Sequence, residues 1–139
     1  MRIELATDIA ASPERAWAVS SDVERWPEWT ASVTSVQRLD AGDLTVGSRV
    51  RIKQPKIPAT VWRVTRWEPG LYFEWQAGLP GYNTLGGHRI EATPGGCRAT
   101  LSIESTGPLA PLFWLLFKNL SRRYINLELE GLKRRSEAP

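Results

Sequence analysis

Residues 108–135, PLAPLFWLLFKNLSRRYINLELEGLKRR, form the segment that decides the fold. With a helical repeat of about 100° per residue, one stripe of this segment is almost entirely apolar. Its members are Leu109, Phe113, Leu116, Phe117, Leu120, Tyr124, Leu127 and Gly131. The pattern predicts one long C-terminal helix, and its apolar stripe requires a large apolar partner.

The residues upstream are typical of short strands separated by turns, which predicts a sheet as the partner of the helix. Residues 2–10 alternate between apolar and polar side chains, as in a half-buried strand. Ser12 is placed to cap a helix that starts at Pro13. A second short helix is expected to begin after Asp22 and to end at Pro27.

Two further strands are expected at residues 33–39 and 49–53, on either side of a turn-forming segment. Pro55 and Pro58 then interrupt the strand pattern, which predicts a loop or a distorted edge. The next hairpin has a turn signal at residues 69–70, Pro-Gly. Counting back from that turn pairs Arg66 with Phe73 and Val64 with Trp75.

The last hairpin has a turn signal at residues 95–96, Gly-Gly. Counting from this turn pairs His88 with Ile103 and places the histidine on the apolar face of the sheet. Arg89 and Glu104 become diagonal neighbours on the opposite face, where an ion pair contributes little to stability. Glu104 is therefore a poor candidate for a catalytic carboxylate.

Length and cysteine content restrict the class of protein. The 139 residues suit a single domain spanning residues 1–139, which can bury a core without disulfides. Cys97 is the only cysteine, so neither an internal disulfide nor a cysteine–histidine metal site is expected. The N-terminus lacks the apolar region of a signal peptide, and a cytoplasmic location is expected.

Charge and hydropathy argue against a nucleic-acid partner and a transmembrane segment. The net charge is +3, but the 18 basic residues are scattered among 15 acidic ones, as on a solvated surface. The apolar run at residues 109–117 is about half the ~20 residues that cross a bilayer. No metal-ligand cluster or glycine-rich phosphate loop is present, so no metal or cofactor is predicted.

Several short motifs carry a resemblance to a known superfamily. They are IAASPERAW at residues 9–17, WPEW at 26–29, EPG at 68–70 and STGPL at 105–109. Asp22 lies between the first and the second of these motifs. In this order, the motifs resemble those of the SRPBCC superfamily of START-related, polyketide cyclase/dehydrase and birch-pollen-allergen-like proteins. The resemblance covers essentially the whole chain. It is specific for the fold and says little about function, because these residues cap helices, make turns and build the core.

The resemblance implies an α+β helix-grip fold. In this fold a seven-stranded antiparallel sheet curves around the long C-terminal helix, two short helices follow strand 1, and a cavity lies inside. Members of the superfamily bind hydrophobic ligands such as lipids, polyketides or plant hormones, and some are cyclases or aromatases. No residue-level catalytic signature of those enzymes can be transferred to this sequence.

Seven tryptophans suggest either a thick core or an aromatic-lined cavity. The predicted strand faces and helix stripe together give one set of candidate ligand-binding residues. From the sheet these are Trp62, Val64, Phe73, Trp75, His88, Ile90, Leu101 and Ile103; from the helix they are Phe113, Phe117, Leu120, Tyr124 and Leu127. Such a lining suits an apolar or aromatic ligand. The alternative is that these side chains simply pack against one another.

His88 is the only histidine, and it is the sole candidate for a general base. A cyclase or dehydratase needs a base near the proton that is removed and an acid near the carbonyl oxygen. His88 with the hydroxyl of Tyr124 is the one pair that the sequence offers for that chemistry. A lone histidine on an apolar strand is more often part of the core.

Three hypotheses for function follow. The first is a carrier or sensor of a hydrophobic, aromatic or lipid-like small molecule, and the second is a polyketide cyclase, aromatase or dehydratase that uses His88. The third is a module that binds a membrane surface or another protein. It would use basic residues on the outer face of the sheet, Arg49, Arg51, Lys53 and Arg63, and a second apolar strip on the helix, Trp114, Ile125 and Leu132. The strip would equally suit a homodimer contact, or it would pack beneath a loop.

Overall fold

One antiparallel sheet of seven strands wraps around the long C-terminal helix in the computed structural model, which describes residues 1–139. The elements are β1 (Arg2–Ile9), α1 (Pro13–Ser21), a 3-10 helix (Val23–Glu28), β2 (Ser35–Arg38), β3 (Arg49–Gln54), β4 (Ile57–Glu68), β5 (Tyr72–Leu79), β6 (Tyr82–Thr93), β7 (Gly96–Thr106) and α2 (Ala110–Glu137). The strand order is β1-β7-β6-β5-β4-β3-β2. This is the helix-grip fold that the resemblance to the superfamily implies, and it is confirmed.

The two short helices that follow β1 close one end of the sheet. The Ser12 hydroxyl accepts a hydrogen bond of 3.1 Å from the backbone N–H of Arg15, which confirms the predicted cap of α1. The second helix continues past Pro27 to Glu28, so its predicted end is wrong. A 3-10 helix of this length contains few internal hydrogen bonds. It therefore tolerates a proline, which has no backbone N–H to donate.

The β4–β5 hairpin combines one confirmed pairing with one that is wrong. Val64 faces Trp75 as predicted, but Phe73 faces Trp67 and not Arg66. The turn holds one more residue than the sequence suggests, since Glu68 pairs with Tyr72, and a bulge between positions 64 and 66 then restores the register. The bulge turns Trp67 toward the core.

The β6–β7 hairpin has its turn at residues 94–95, one position earlier than predicted, because Thr93 pairs with Gly96. His88 therefore faces Leu101, and its predicted pairing with Ile103 is wrong. The register has slipped by two residues. A slip of two leaves every side chain on the same face, so His88 is buried on the apolar face as expected.

The predicted neighbours Arg89 and Glu104 do not form an ion pair. In the corrected register Arg89 pairs with Thr100. The guanidinium of Arg89 lies over the ring of Tyr72 at 4.5 Å, while Glu104 contacts Arg2 at 3.4 Å. Both contacts lie on the outer face of the sheet.

The C-terminal half of α2 packs onto the sheet and the short helices. Ile125, Leu129 and Leu132 belong to the hydrophobic core. Gly131 lies directly against the backbone carbonyl of Trp29, and a Cβ at this position would clash with that oxygen. The guanidinium of Arg134 donates a hydrogen bond of 3.1 Å to the same carbonyl, so this carbonyl joins the loop to the helix.

The predicted apolar stripe is rotated by roughly a quarter turn from the face that α2 buries in its C-terminal half. Ile125 and Leu132, which the sequence assigns to a second apolar strip outside the predicted stripe, are buried, and Trp114 packs against the core. The predicted inward face of α2 was wrong in this half because the helix carries apolar residues on two faces. A single stripe fitted to the whole helix does not separate these two faces. No helix of the structure combines the length and the apolar composition that spanning a bilayer requires.

Candidate functional site

An aromatic cluster fills the interior at the end closed by the short helices. His88 stacks on Phe73 at a centroid distance of 4.1 Å and is flanked by Trp75 at 5.1 Å and Trp26 at 5.5 Å. Gly86 makes room for this arrangement, since a Cβ there would lie 3.0 Å from the indole nitrogen of Trp75. At this end, aromatic side chains occupy the space between the sheet and the helices.

His88 is neutral in this setting. Its Nδ1 lies 3.4 Å from the carbonyl oxygen of Phe73, which is its one hydrogen-bond partner. Burial among aromatic rings lowers the pKa of His88 to about 4, and the backbone contact opposes this only in part. A neutral imidazole can accept a proton or a hydrogen bond at Nε2, but it cannot act as a general acid near pH 7.

Tyr124 lies on α2 and reaches toward the turn between β3 and β4. Its hydroxyl donates a hydrogen bond to the carbonyl of Pro55, and the residue is buried. The Tyr124 proton is thus engaged with the backbone, and no hydrogen bond joins Tyr124 to His88. Their pairing as acid and base stays a prediction.

The thirteen predicted ligand-binding residues divide by burial. Seven are buried: Val64, Phe73, Trp75, His88, Ile90, Leu101 and Tyr124. Five keep part of their surface accessible: Trp62, Ile103, Phe113, Leu120 and Leu127. Phe117 is exposed, and with Phe113 it forms a stacked series that ends on Tyr82. Phe113 and Leu120 lie in the N-terminal half of α2 and Leu127 in its C-terminal half, whereas Trp62 and Ile103 lie on the sheet.

Glu128 is a candidate functional residue that the sequence analysis missed. It lies on the buried arc of α2, one turn from Tyr124 on one side and from Leu132 on the other, and those two residues are buried. Burial alone raises the pKa of Glu128 to about 8. Its side chain nevertheless keeps accessible surface. A carboxyl group that is surrounded by protein yet accessible borders a recess.

Three polar groups on the inner side of the sheet and helix lack a protein partner. They are Nε2 of His88, Nε1 of Trp75 and the carboxyl group of Glu128. The polar side-chain atoms that are both fully occluded and unpartnered belong only to Arg38 and Ser136. The three inner groups are therefore not fully occluded, and a small accessible space lies beside each of them. Such space suits water or a ligand.

The sequence signal for Glu128 exists, but it depends on the correct helix face. Ile125 precedes it by three residues and Leu132 follows it by four, so all three share one side of the helix. The sequence analysis assigned Ile125 and Leu132 to a second strip outside the predicted stripe, so this pattern around Glu128 was not recognised. An acid between two buried apolar residues at this spacing is the pattern that would have identified it.

Arg38 is a second polar group that the sequence analysis did not single out. It pairs with Val50 across β2 and β3, on the face that also carries the core residue Ile52. Its Nε and one terminal nitrogen are occluded without a hydrogen-bond partner. An unpartnered guanidinium is costly to bury, so Arg38 is a potential contact for an anionic or carbonyl group at the β2 edge.

A surface recess of about 260 Å³ lies outside the sheet–helix interior, lined by Arg15, Ala18, Val19, Asp22, Arg25, Trp29 and Arg135. Its arginines are already engaged. Arg25 pairs with Asp22 at 3.2 Å, Arg135 pairs with Glu28 at 2.8 Å, and Arg15 donates to a backbone carbonyl. We therefore place the candidate site in the interior. No three histidine, cysteine or carboxylate side chains are grouped as ligands for a metal ion.

The comparisons with known proteins agree with this architecture. A family model described as “Polyketide cyclase / dehydrase and lipid transport” matches residues 1–137. An uncharacterized protein from Mycobacterium tuberculosis is 24% identical over 137 residues, in a match that covers 94% of this chain and 81% of that protein.

Two solved structures illustrate the likeness in fold. The Zhui aromatase/cyclase from Streptomyces sp. R1128 aligns with a TM-score of 0.82 at 15% identity, over 99% of this chain and 93% of that one. Ara h 8.0201 aligns with a TM-score of 0.72 at 11% identity, over 98% and 97% of the two chains. At such low identity these alignments show a shared fold and nothing about substrates.

Proposed function

Because the chain belongs to the polyketide cyclase/dehydrase and lipid transport family, we propose that it binds a hydrophobic, aromatic or lipid-like small molecule between the sheet and α2, as a carrier or sensor. One observation carries the proposal. Three unpartnered polar groups, on His88, Trp75 and Glu128, border accessible space in an interior that is otherwise aromatic and aliphatic. Binding sites for small apolar molecules combine such a lining with a few polar groups.

The polar groups also suggest the kind of ligand. With a pKa of about 8, Glu128 carries its proton at neutral pH and can donate a hydrogen bond. The indole nitrogen of Trp75 is a second donor, whereas the neutral His88 can accept. The expected ligand is therefore an apolar molecule with a carbonyl or another hydrogen-bond acceptor, and its apolar body would contact Trp62 and Ile103.

Binding is testable by fluorescence, since Trp62 and Trp75 would lie beside the ligand. The purified protein is titrated with a panel of aromatic ketones, fatty acids and matched hydrocarbons without an oxygen atom. The proposal expects saturable quenching by at least one class, with the oxygen-containing member bound more tightly than its hydrocarbon. No saturable response across the panel, together with a clean mass in native mass spectrometry of freshly purified protein, would refute it.

Matched variants test the part assigned to Glu128. Glu128→Leu removes the hydrogen-bond donor, Glu128→Gln retains one, and Glu130→Leu is a control at an exposed position of the same helix. Loss of a hydrogen bond to a ligand is expected to weaken binding about tenfold in Glu128→Leu. Glu128→Gln should bind nearly as tightly as the wild type. Equal affinity in all three variants would remove Glu128 from the site.

A cyclase or dehydratase is the second candidate, and one observation favours it. The protonated Glu128 and the neutral His88 would supply an acid and a base in the same interior. With a poly-β-ketone substrate, the wild type should change the rate and the ratio of cyclised products relative to buffer, and Glu128→Leu should lose at least a hundredfold of that rate. Products identical to those in buffer would exclude catalysis on this substrate class.

A further inference from the structure

The N-terminal half of α2 carries a large exposed apolar surface. It continues onto the tip of the β5–β6 hairpin, and we name this surface the α2 tip. Its members are between 37% and 71% exposed: Leu79, Leu109, Leu112, Leu115, Leu116 and Phe117. Soluble monomers rarely expose contiguous apolar patches of this kind unless the patch binds something.

Contacts between hairpin and helix make the α2 tip continuous. The Leu109 backbone N–H donates to the carbonyl of Gly81 at 2.9 Å, and the Leu109 side chain packs against the same glycine. Phe113 stacks on Tyr82 at a centroid distance of 4.5 Å. The surface is therefore presented by two connected elements with a fixed arrangement, and the hairpin tip between residues 78 and 82 contains no charged residue.

The helix start is not optimised for stability. Leu109 occupies the cap position of α2 and provides no side-chain hydrogen bond, and the first turn contains no acidic residue. Serine, threonine, asparagine or aspartate would stabilise the helix here. An apolar side chain at a solvent-exposed cap is consistent with selection for contact with a partner.

Three basic residues border the α2 tip. Lys118, Arg122 and Arg123 are exposed on the next turns of the helix, and none of them forms a salt bridge. The first acidic residue of α2 is Glu128, and it faces the interior. We refer to these three residues as the basic collar. An apolar surface followed by a basic collar is complementary to a membrane with anionic headgroups.

We propose that the α2 tip and its basic collar dock the protein on the surface of membranes that contain anionic lipids. With a helical rise of about 1.5 Å per residue, Leu112 and Arg122 are roughly 15 Å apart along α2. An oblique helix can therefore bury its first two turns about 5–10 Å deep while the collar stays at headgroup level. This surface is separate from the interior polar groups, so docking does not depend on the identity of the bound ligand.

Charge also argues against a second copy of this chain as the partner. A symmetric dimer that packed the two helices in parallel through the α2 tip would bring the basic collars of both copies together without acidic residues of α2 between them. Like charges at an interface disfavour association. An anionic lipid surface neutralises the same residues.

The test is flotation of the full chain with vesicles of phosphatidylcholine alone or with one-fifth phosphatidylglycerol, at 50 and 500 mM salt. Leu115→Glu/Leu116→Glu alters the α2 tip, and Arg122→Glu/Arg123→Glu alters the collar. Val61→Glu is a matched control, because Val61 is an exposed apolar residue on the outer face of the sheet. Thermal unfolding verifies that each variant is folded. If Leu115→Glu/Leu116→Glu does not fold, Leu112→Ser/Leu116→Ser is used in its place.

The wild type and Val61→Glu should bind anionic vesicles at 50 mM salt. Leu115→Glu/Leu116→Glu should lose at least tenfold in partitioning, and Arg122→Glu/Arg123→Glu should bind weakly and lose the dependence on salt. The proposal is overturned if the wild type does not float with anionic vesicles, or if Val61→Glu is as defective as the α2-tip variant. A wild-type dimer that Leu115→Glu/Leu116→Glu converts to a monomer, without vesicle binding, would also overturn it and identify a dimer interface.

Discussion

The two halves of α2 differ in what covers their apolar residues. In the C-terminal half, Ile125, Leu129 and Leu132 are buried against the sheet and the short helices. In the N-terminal half, Leu112, Leu115 and others of the α2 tip remain exposed. The exposed N-terminal half is the more apolar of the two. Whether an apolar face of a helix becomes core or binding surface is therefore decided by the element that covers it.

The largest effect is expected at Gly131, where α2 touches the loop that follows the 3-10 helix. A side chain at this position would clash with the carbonyl oxygen of Trp29. Gly131→Leu should lower the free energy of unfolding by about 3 kcal/mol or more, or prevent folding, because backbone on both sides must move. The measurement is urea unfolding followed by circular dichroism.

Gly95→Ala is the control for this prediction. No atom lies within 4 Å of the position that a Cβ at Gly95 would occupy. Its unfolding free energy should stay within about 0.5 kcal/mol of the wild type. A Gly131→Leu protein as stable as Gly95→Ala would mean that the C-terminal half of α2 is less firmly packed than described.

Equal truncations in the two halves give the most direct comparison. Leu129 is 4% exposed and Leu116 is 64% exposed, so the same leucine-to-alanine change removes core packing at one position and surface at the other. Leu129→Ala should lower the unfolding free energy by about 2–5 kcal/mol. Leu116→Ala should change it by less than about 0.5 kcal/mol. Similar losses in both variants would contradict the division of the helix.

Glu128 lies in the C-terminal half, between Ile125 and Leu132, and the titration of its carboxyl group should make stability depend on pH. Its folded-state pKa of about 8 is above the ordinary glutamate pKa of 4.5, so between these two pH values the folded protein holds a proton that the unfolded chain releases. Stability should therefore fall as pH rises from about 5 to 8. Glu128→Gln removes this dependence and should be more stable than the wild type at pH 8.5 by at least about 1 kcal/mol.

Urea unfolding at pH 5.5, 7 and 8.5 measures this effect, and Glu130→Gln is the matched control at an exposed position. The control should retain the wild-type slope. If the Glu128→Gln curve runs parallel to the wild type across this range, the carboxyl group is as well solvated as a surface glutamate, and the recess beside it is open to bulk water.

The fold was predictable because local signals agree with one another. The Ser12 cap, the sheet of seven strands and the inward face of His88 all follow from residues near each other in sequence. Errors in register at both hairpins had limited consequences. One was compensated by a bulge at Thr65, and the other was a slip of two residues that keeps every side chain on its face.

The site was less predictable because it depends on contacts between distant segments. Which face of α2 meets the sheet is decided partly by Gly131 against Trp29, a contact between residues about a hundred positions apart. Without that contact, Glu128 cannot be assigned to the interior. The environment of His88 likewise depends on Trp26 from the 3-10 helix, and no periodicity within β6 indicates that ring.

The smallest predicted effect concerns the cap of α2, where stability and surface binding favour different residues. Leu109 provides no hydrogen bond to the helix start, so Leu109→Ser should stabilise the protein slightly, by about 0.5 kcal/mol. The same change removes an exposed apolar side chain from the α2 tip and should weaken vesicle binding several-fold. Ser12→Ala is the converse case, because it should cost about 1 kcal/mol through loss of the α1 cap and leave vesicle binding unchanged. If Leu109→Ser destabilised the protein, Leu109 would be part of the packed structure through Gly81, and the boundary between the two halves would lie nearer the start of the helix.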